Sequence, residues 1–299
     1  MATPAQRDLL PAGEAARATI LASGRNSLRY GVFGELDTTA DTLQRIVEAV
    51  PAAVAGAMPA HAFVFVPLAI GETAHARDTE IARVHTADFA DRAICHRTVP
   101  IEGDTFTFIS TRLMQDRFAL AFELFINVGH QFVDALTAAK TPLPERFTAL
   151  LWSQARADVR GETSQDAYEA RKRAIERAPG DPTASLLSSP SNATSTYTAN
   201  STAKDDPAKP EASQSREAAE PALPKTAAEH RTRYFEAAFA DSLAIYMLSL
   251  AIDLDYADLR EREYPLLAVP ALADRLRLIA ELYPPPPGYE FAIRYRRRH

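Results

Sequence analysis

A chain of 299 residues, 46% hydrophobic and 24% charged, has the composition of an ordinary globular protein, with room for one large domain or two small ones. A net charge of −6 argues against general nucleic-acid binding. The single cysteine, Cys95, rules out an internal disulfide and fits a reducing, cytoplasmic setting. No apolar run approaches the roughly 18 residues that a membrane span needs. Neither nucleic acid nor membrane is therefore expected as a partner.

In chain order, residues 1–15 carry Arg7, Asp8 and Glu14 and read as no secretory signal. A short strand is predicted over 27–36. A helix follows over 41–55, where Leu43, Ile46, Val47 and Val50 keep helical spacing and Asp41 or the preceding threonines can cap it. His61 to Pro67 reads as a buried strand, and residues 71–91 as irregular. Strands are expected over 92–99 and 105–110, the second alternating Thr and Phe. Cys95 beside His96 could suggest a nucleophile and a base. Neighbours in a strand point to opposite faces, so the adjacency says little.

A helix over about 113–139 is the most informative segment. It is apolar nearly all round, through Phe118, Leu120, Leu124, Phe125, Val128, Phe132 and Val133. One narrow polar stripe breaks that surface: Glu123, Asn127, His130 and Asp134 fall within roughly 60° of one another, with Asp116 on the same line. Such a helix is expected to be buried, and buried polar groups need partners: a metal, a polar network or a cleft.

A helical region over 144–177 follows, its later part charged and expected to be solvated. Residues 179–228 hold seven prolines and no Val, Ile, Phe or Trp, so they read as a disordered insertion. A long apolar helix is predicted over 231–254, then helices over 259–267 and 271–282 broken by Pro265 and Pro270. On the last of these, Asp274, Arg275, Arg277 and Glu281 read as a solvated face. The basic tail over 294–299 reads as a solvated terminus.

The order strand–helix–strand, edge-like strand, buried helix ending Gly129-His130-x-x-Val133-Asp134, and a later helix reading Tyr234-Phe235-x-x-Ala238-Phe239-Ala240-Asp241 resembles the zincin-type metallopeptidases, particularly the lethal-factor-like group. The likeness spans about residues 90–140 and 230–256. It implies an α+β fold: a small N-terminal sheet packed on a buried central helix, followed by a helical C-terminal half. Residues 1–177 and 229–299 would form one zincin-like domain interrupted by 178–228.

Matched residue by residue, the resemblance puts Gly129 and His130 on the family's Gly-His. Ile126 falls on its first zinc-binding histidine, Asn127 on its general-base glutamate, and Arg233 on its third ligand. Isoleucine cannot ligate, a neutral amide cannot take a proton from water, and a guanidinium repels a metal. The expected function is therefore that of a non-catalytic, pseudo-peptidase protein that binds a peptide or protein in the inherited cleft, with no cofactor. One alternative is a metal-dependent hydrolase holding zinc or another divalent metal at His130, Asp134 and Glu236, with Glu123 as a candidate catalytic group and His230 as a further ligand candidate. Asn127, Arg233, Tyr234 and Asp241 are expected to line the cleft. In the bland reading Asn127, His130 and Asp134 hydrogen-bond to Arg233, Tyr234 or Tyr246. A third reading makes the chain an interaction scaffold using its insertion.

Overall fold

The computed structural model describes residues 9–71, 79–85, 87–114, 116–178, 226–252 and 269–293. The expected insertion up to residue 225, the helix over 259–267 and the basic tail lie outside these. The architecture is mixed α/β, with two small sheets and a helical C-terminal half.

The larger sheet holds β2 (Leu21–Ser23), β3 (Arg29–Val32), β4 (His61–Val66), β9 (Asp104–Ser110) and β8 (His96–Ile101), hydrogen-bonded in that order. β3, β4 and β9 run parallel, while β2 and β8 are antiparallel to their neighbours. β4 is buried at every position because both faces of the sheet are covered. Phe63 and Phe65 point to the helical core, and Ala62, Val64 and Val66 to a second core that includes Ala15 and Ala16 of α1 (Ala12–Ala18). Glu102 and Gly103, both with positive φ, close the two-residue turn between β8 and β9.

The smaller sheet orders β1 (Leu9–Pro11), β6 (Glu80–Ala82), β5 (Leu68–Ile70) and β7 (Ala93–Ile94). Most of it departs from expectation: β1 lies in the segment read only for a signal, and β6 within the stretch read as irregular. Strands of two to three residues are too short to show a period of two.

Seven helices among the described residues form the rest of the helical core. The helix expected over 41–55 is two, α2 (Ala40–Glu48) and α3 (Ala52–Gly56), with Pro51 opening the second. Thr39 caps α2 through Thr42 N. α4 (Arg117–Ala138) is the striped helix. The region over 144–177 is also two helices, α5 (Glu145–Arg156) and α6 (Gln165–Glu176). α6 is not wholly solvated, since it buries Ala167, Ala170, Arg171 and Ala174. α7 (Ala227–Ala251) starts earlier than predicted, because Thr226 and Glu229 form a capping box within residues assigned to the insertion. α8 (Val269–Leu282) takes Pro270 into its first turn without breaking. One core joins both sides of the insertion, bringing Leu124 and Phe125 of α4 together with Phe239 and Tyr246 of α7 and Leu276 of α8. No helix among the described residues is long and apolar enough to cross a membrane.

Candidate functional site

α4 begins at Asp116, whose carboxylate accepts the Ala119 N–H at 2.8 Å. Asp116 is therefore a helix cap and not part of the stripe. At the middle of α4, Gly129 is pressed against α7: a Cβ there would stand 2.6 Å from the Ala240 carbonyl oxygen. Packing alone thus explains the glycine before His130, and the close approach fixes how the stripe is presented.

The stripe is buried only in part. Asn127 is 4% exposed, Glu123 is half-buried, and His130 and Asp134 are exposed. The edge strand β8 supplies the partner that sequence reasoning passed over. His96 Nδ1–H donates to Glu123 Oε1 across the gap between β8 and α4. Asn127 Nδ2 donates to the same oxygen at 3.2 Å and to the Glu123 carbonyl at 2.8 Å. Glu123 is thereby locked as an acceptor between a strand and its own helix. Cys95, one residue earlier, has an exposed thiol that burial of its surroundings and the Glu123 charge push up in pKa, so the thiolate needed for nucleophilic attack is disfavoured.

Further along α4 the groups are less satisfied. His130 is held below the ordinary imidazole range, chiefly by desolvation and then by His96, against the opposing pull of Asp134 and Asp166. Desolvation pushes Asp134 up, with His130 opposing. Both side chains are exposed, although neighbouring protein disfavours their charged forms, so this end of the stripe lies on the surface rather than in a buried site. Glu236 of α7 is half-buried and pushed up by desolvation and by the Asp134 charge, with Arg233 opposing. Neither Asp134 nor Glu236 makes a hydrogen bond or ion pair among the described residues.

The remaining candidates separate from this surface. Arg233 is exposed. Tyr234 is fully buried, and its hydroxyl donates to Glu162 Oε1 at 2.9 Å. Asp241 is 4% exposed and belongs to the same interior region, with the Ser164 hydroxyl bonded to it and Oδ2 without a partner. His230 is buried, and its Nε2 has no partner among the described residues. Tyr246 donates to the Tyr283 carbonyl at 2.8 Å. The network expected from Asn127, His130 and Asp134 to Arg233, Tyr234 or Tyr246 is therefore not the arrangement found.

The interior network centres instead on Arg275, which is fully buried on α8 and departs from the solvated face expected there, while Asp274, Arg277 and Glu281 are exposed. Its Nη2 donates to Glu162 Oε1 at 2.8 Å and its Nε to Gln154 Oε1 at 2.7 Å. Burial would raise the Glu162 carboxyl, but Arg275, Arg171 and the Tyr234 hydroxyl together hold it below its ordinary value. A signal for Arg275 is present in the sequence: Leu272 and Ile279 stand at i−3 and i+4 from it, which puts it on their face.

A zinc site of the resembled kind does not fit these residues. Ile126 and Asn127 provide no ligand, Arg233 provides a cation, and no three His, Cys, Asp or Glu side chains among the described residues converge on a point that could hold a metal. No protein-family model, curated protein or solved structure matches the chain.

Proposed function

We propose that the chain is a zincin-like, non-catalytic protein that binds an extended peptide between β8 and the polar stripe of α4. The observation that carries this is β8. It is the outer strand of its sheet, pairs only with β9 among the described residues, and is tied at His96 to Glu123 on α4. An outer strand offers unpaired N–H and C=O groups to an added strand, and main-chain pairing there supplies affinity. Pro100 removes one donor and limits pairing to the first part of β8. From Glu123 to Asp134 α4 rises about 16 Å, the length of about five extended residues. The non-catalytic half of the reading rests on Ile126, Asn127 and Arg233, and on Asn127 being occupied as a donor to Glu123.

The test is a hexapeptide library presented to the full chain, followed by N-methylation of the tightest binder at alternate residues. Methylating one alternate set should abolish binding and methylating the other should not. Failure of every peptide to bind, or zinc-dependent peptide hydrolysis, would overturn the proposal.

A further inference from the structure

A pocket of about 280 Å³ opens where α4 ends, between that helix, the connection to α5, and α7. Its walls include Val133, Leu136, Pro142, Leu143 and Phe235, with threonine hydroxyls between them, and Glu236 stands at its edge. The volume lies at or below the range that cofactor-sized ligands occupy. We infer that this pocket receives the side chain of a lysine or arginine from the bound peptide, its aliphatic stem against the apolar walls and its cationic head at Glu236. The inference rests on the peptide-binding reading above and names what that peptide must carry.

Three features converge on a cation with an apolar stem. Glu236 lines the pocket and has no ion-pair partner among the described residues, and the Asp134 charge adds to the negative field it feels. A positive group at Glu236 supplies the missing partner. Arg233, on the helical turn before Glu236, acts on it from a distance and makes no ion pair with it, so the position is open. The apolar walls suit the methylene stem that lysine and arginine carry, and would be wasted on a bare metal ion. The pocket also meets the end of the proposed groove at Thr137, which stands about two turns after His130 on the same side of α4, while Val133 and Leu136 lie further round the helix.

Trp152, the only tryptophan of the chain, packs edge-on at 6.2 Å against Phe235 in the pocket wall, so its fluorescence reports occupancy. The full chain is titrated with n-butylamine and with n-butanol. Binding of acetylated hexapeptides of alternating threonine and valine is then followed by anisotropy, with one lysine, or norleucine in its place, moved through the six positions. Butylamine should change Trp152 fluorescence saturably and butanol at least about tenfold more weakly, the ratio expected when a charge-assisted hydrogen bond is lost. At one position the lysine peptide should bind at least about tenfold more tightly than its norleucine counterpart. Glu236→Gln, at a half-buried position, should erase that preference, and Asp134→Asn, at an exposed position outside the pocket lining, should weaken it, neither lowering the melting temperature. Equal binding of lysine and norleucine peptides at all six positions defeats the pocket assignment and leaves the edge-strand reading standing. Saturable butylamine binding with no peptide binding defeats the edge-strand reading and the side-chain assignment with it. Retention of the lysine preference in Glu236→Gln refutes that carboxylate as its source.

Discussion

Asp241→Asn should stabilise the protein, and only above acidic pH. Asp241 lies on α7 and is 4% exposed. Its carboxyl is pushed up to about 6, first by desolvation, against a hydrogen bond from Ser164 and the charge of Arg275, and with Asp166 and Glu162 adding to the rise. In the unfolded chain the same group ionises near its ordinary value of about 3.9. A carboxyl raised on folding favours the folded state fully below the unfolded value, and that advantage is lost as pH rises through the folded value. Two pKa units correspond to about 3 kcal/mol, an upper figure because a buried group relaxes or admits water. The asparagine has no such ionisation to oppose. At pH 7.5 it should therefore gain about 1.5–3 kcal/mol over wild type, on the order of 5 °C in melting temperature. At pH 4 or slightly above it should gain almost nothing, because a protonated carboxyl and an amide leave similar groups at the site of the unpartnered Oδ2. Thermal melts of both proteins across this range give the difference directly, and Glu162, present in both, largely cancels. An Asp241→Asn protein equally destabilised at pH 4.5 and 7.5 would refute the reasoning, since Asp241 would then be an ionised partner already satisfied.

Arg275→Met should cost about 3–5 kcal/mol in urea unfolding, toward the lower end because Arg171 and Tyr234 remain beside Glu162. Glu162→Gln should cost a similar amount, and the double variant should cost less than the sum of the two. A purely additive result would show that the 2.8 Å pair contributes no coupling. Gly129→Ala should destabilise by about 1–3 kcal/mol despite the helix-forming advantage of alanine, because the added carbon meets the backbone of Ala240, which cannot rotate aside. An unchanged or raised melting temperature would contradict that close contact. Arg233→Ala should tighten n-butylamine binding by a few-fold, since it removes the cation that already acts on Glu236. Weaker binding would mean that Arg233 helps form the site.

Where the sequence carried a long, undiluted period, it could be read. β4 is apolar throughout after His61 and bounded by Pro67, β9 alternates Thr and Phe, and α4 and α7 are long enough for their apolar faces to repeat. β1, β6 and β7 are stabilised by neighbours distant in sequence, such as Leu9 opposite Ala82, and nothing local announces that pairing. Arg275 was misread for a different reason. Charge type was given more weight than position, although apolar residues at helical spacing flank it. The stripe itself was legible as a line of four residues, but its burial was not. Whether His130 faces water depends on what packs beside α4, and that is decided by β8 and α7. His96 was missed as a partner of Glu123 because the two are 27 positions apart and meet only when β8 takes the edge of the sheet.

The four stripe residues are chemically unequal, and Asn127 shows why. Its amide donates to both the side chain and the main chain of Glu123, and His96 donates to the same carboxylate from β8. Glu123 Oε1 thus takes donors from both β8 and α4 and holds strand and helix together. One to two turns later, no amide serves Asp134, and the nearest imidazole, His130, is biased toward its neutral form by desolvation and by His96. Asp134 and Glu236 are left with acceptor capacity and few donors. α4 therefore presents a fixed acid at the strand end, while its other end and the neighbouring α7 each present an acid without a donor. If that division is correct, Asn127→Leu should loosen the register of β8 against α4 and weaken every peptide alike. Asp134→Asn should instead weaken only the preference for lysine. Reversal of those two phenotypes would place the recognition of charge at Glu123 rather than at the pocket.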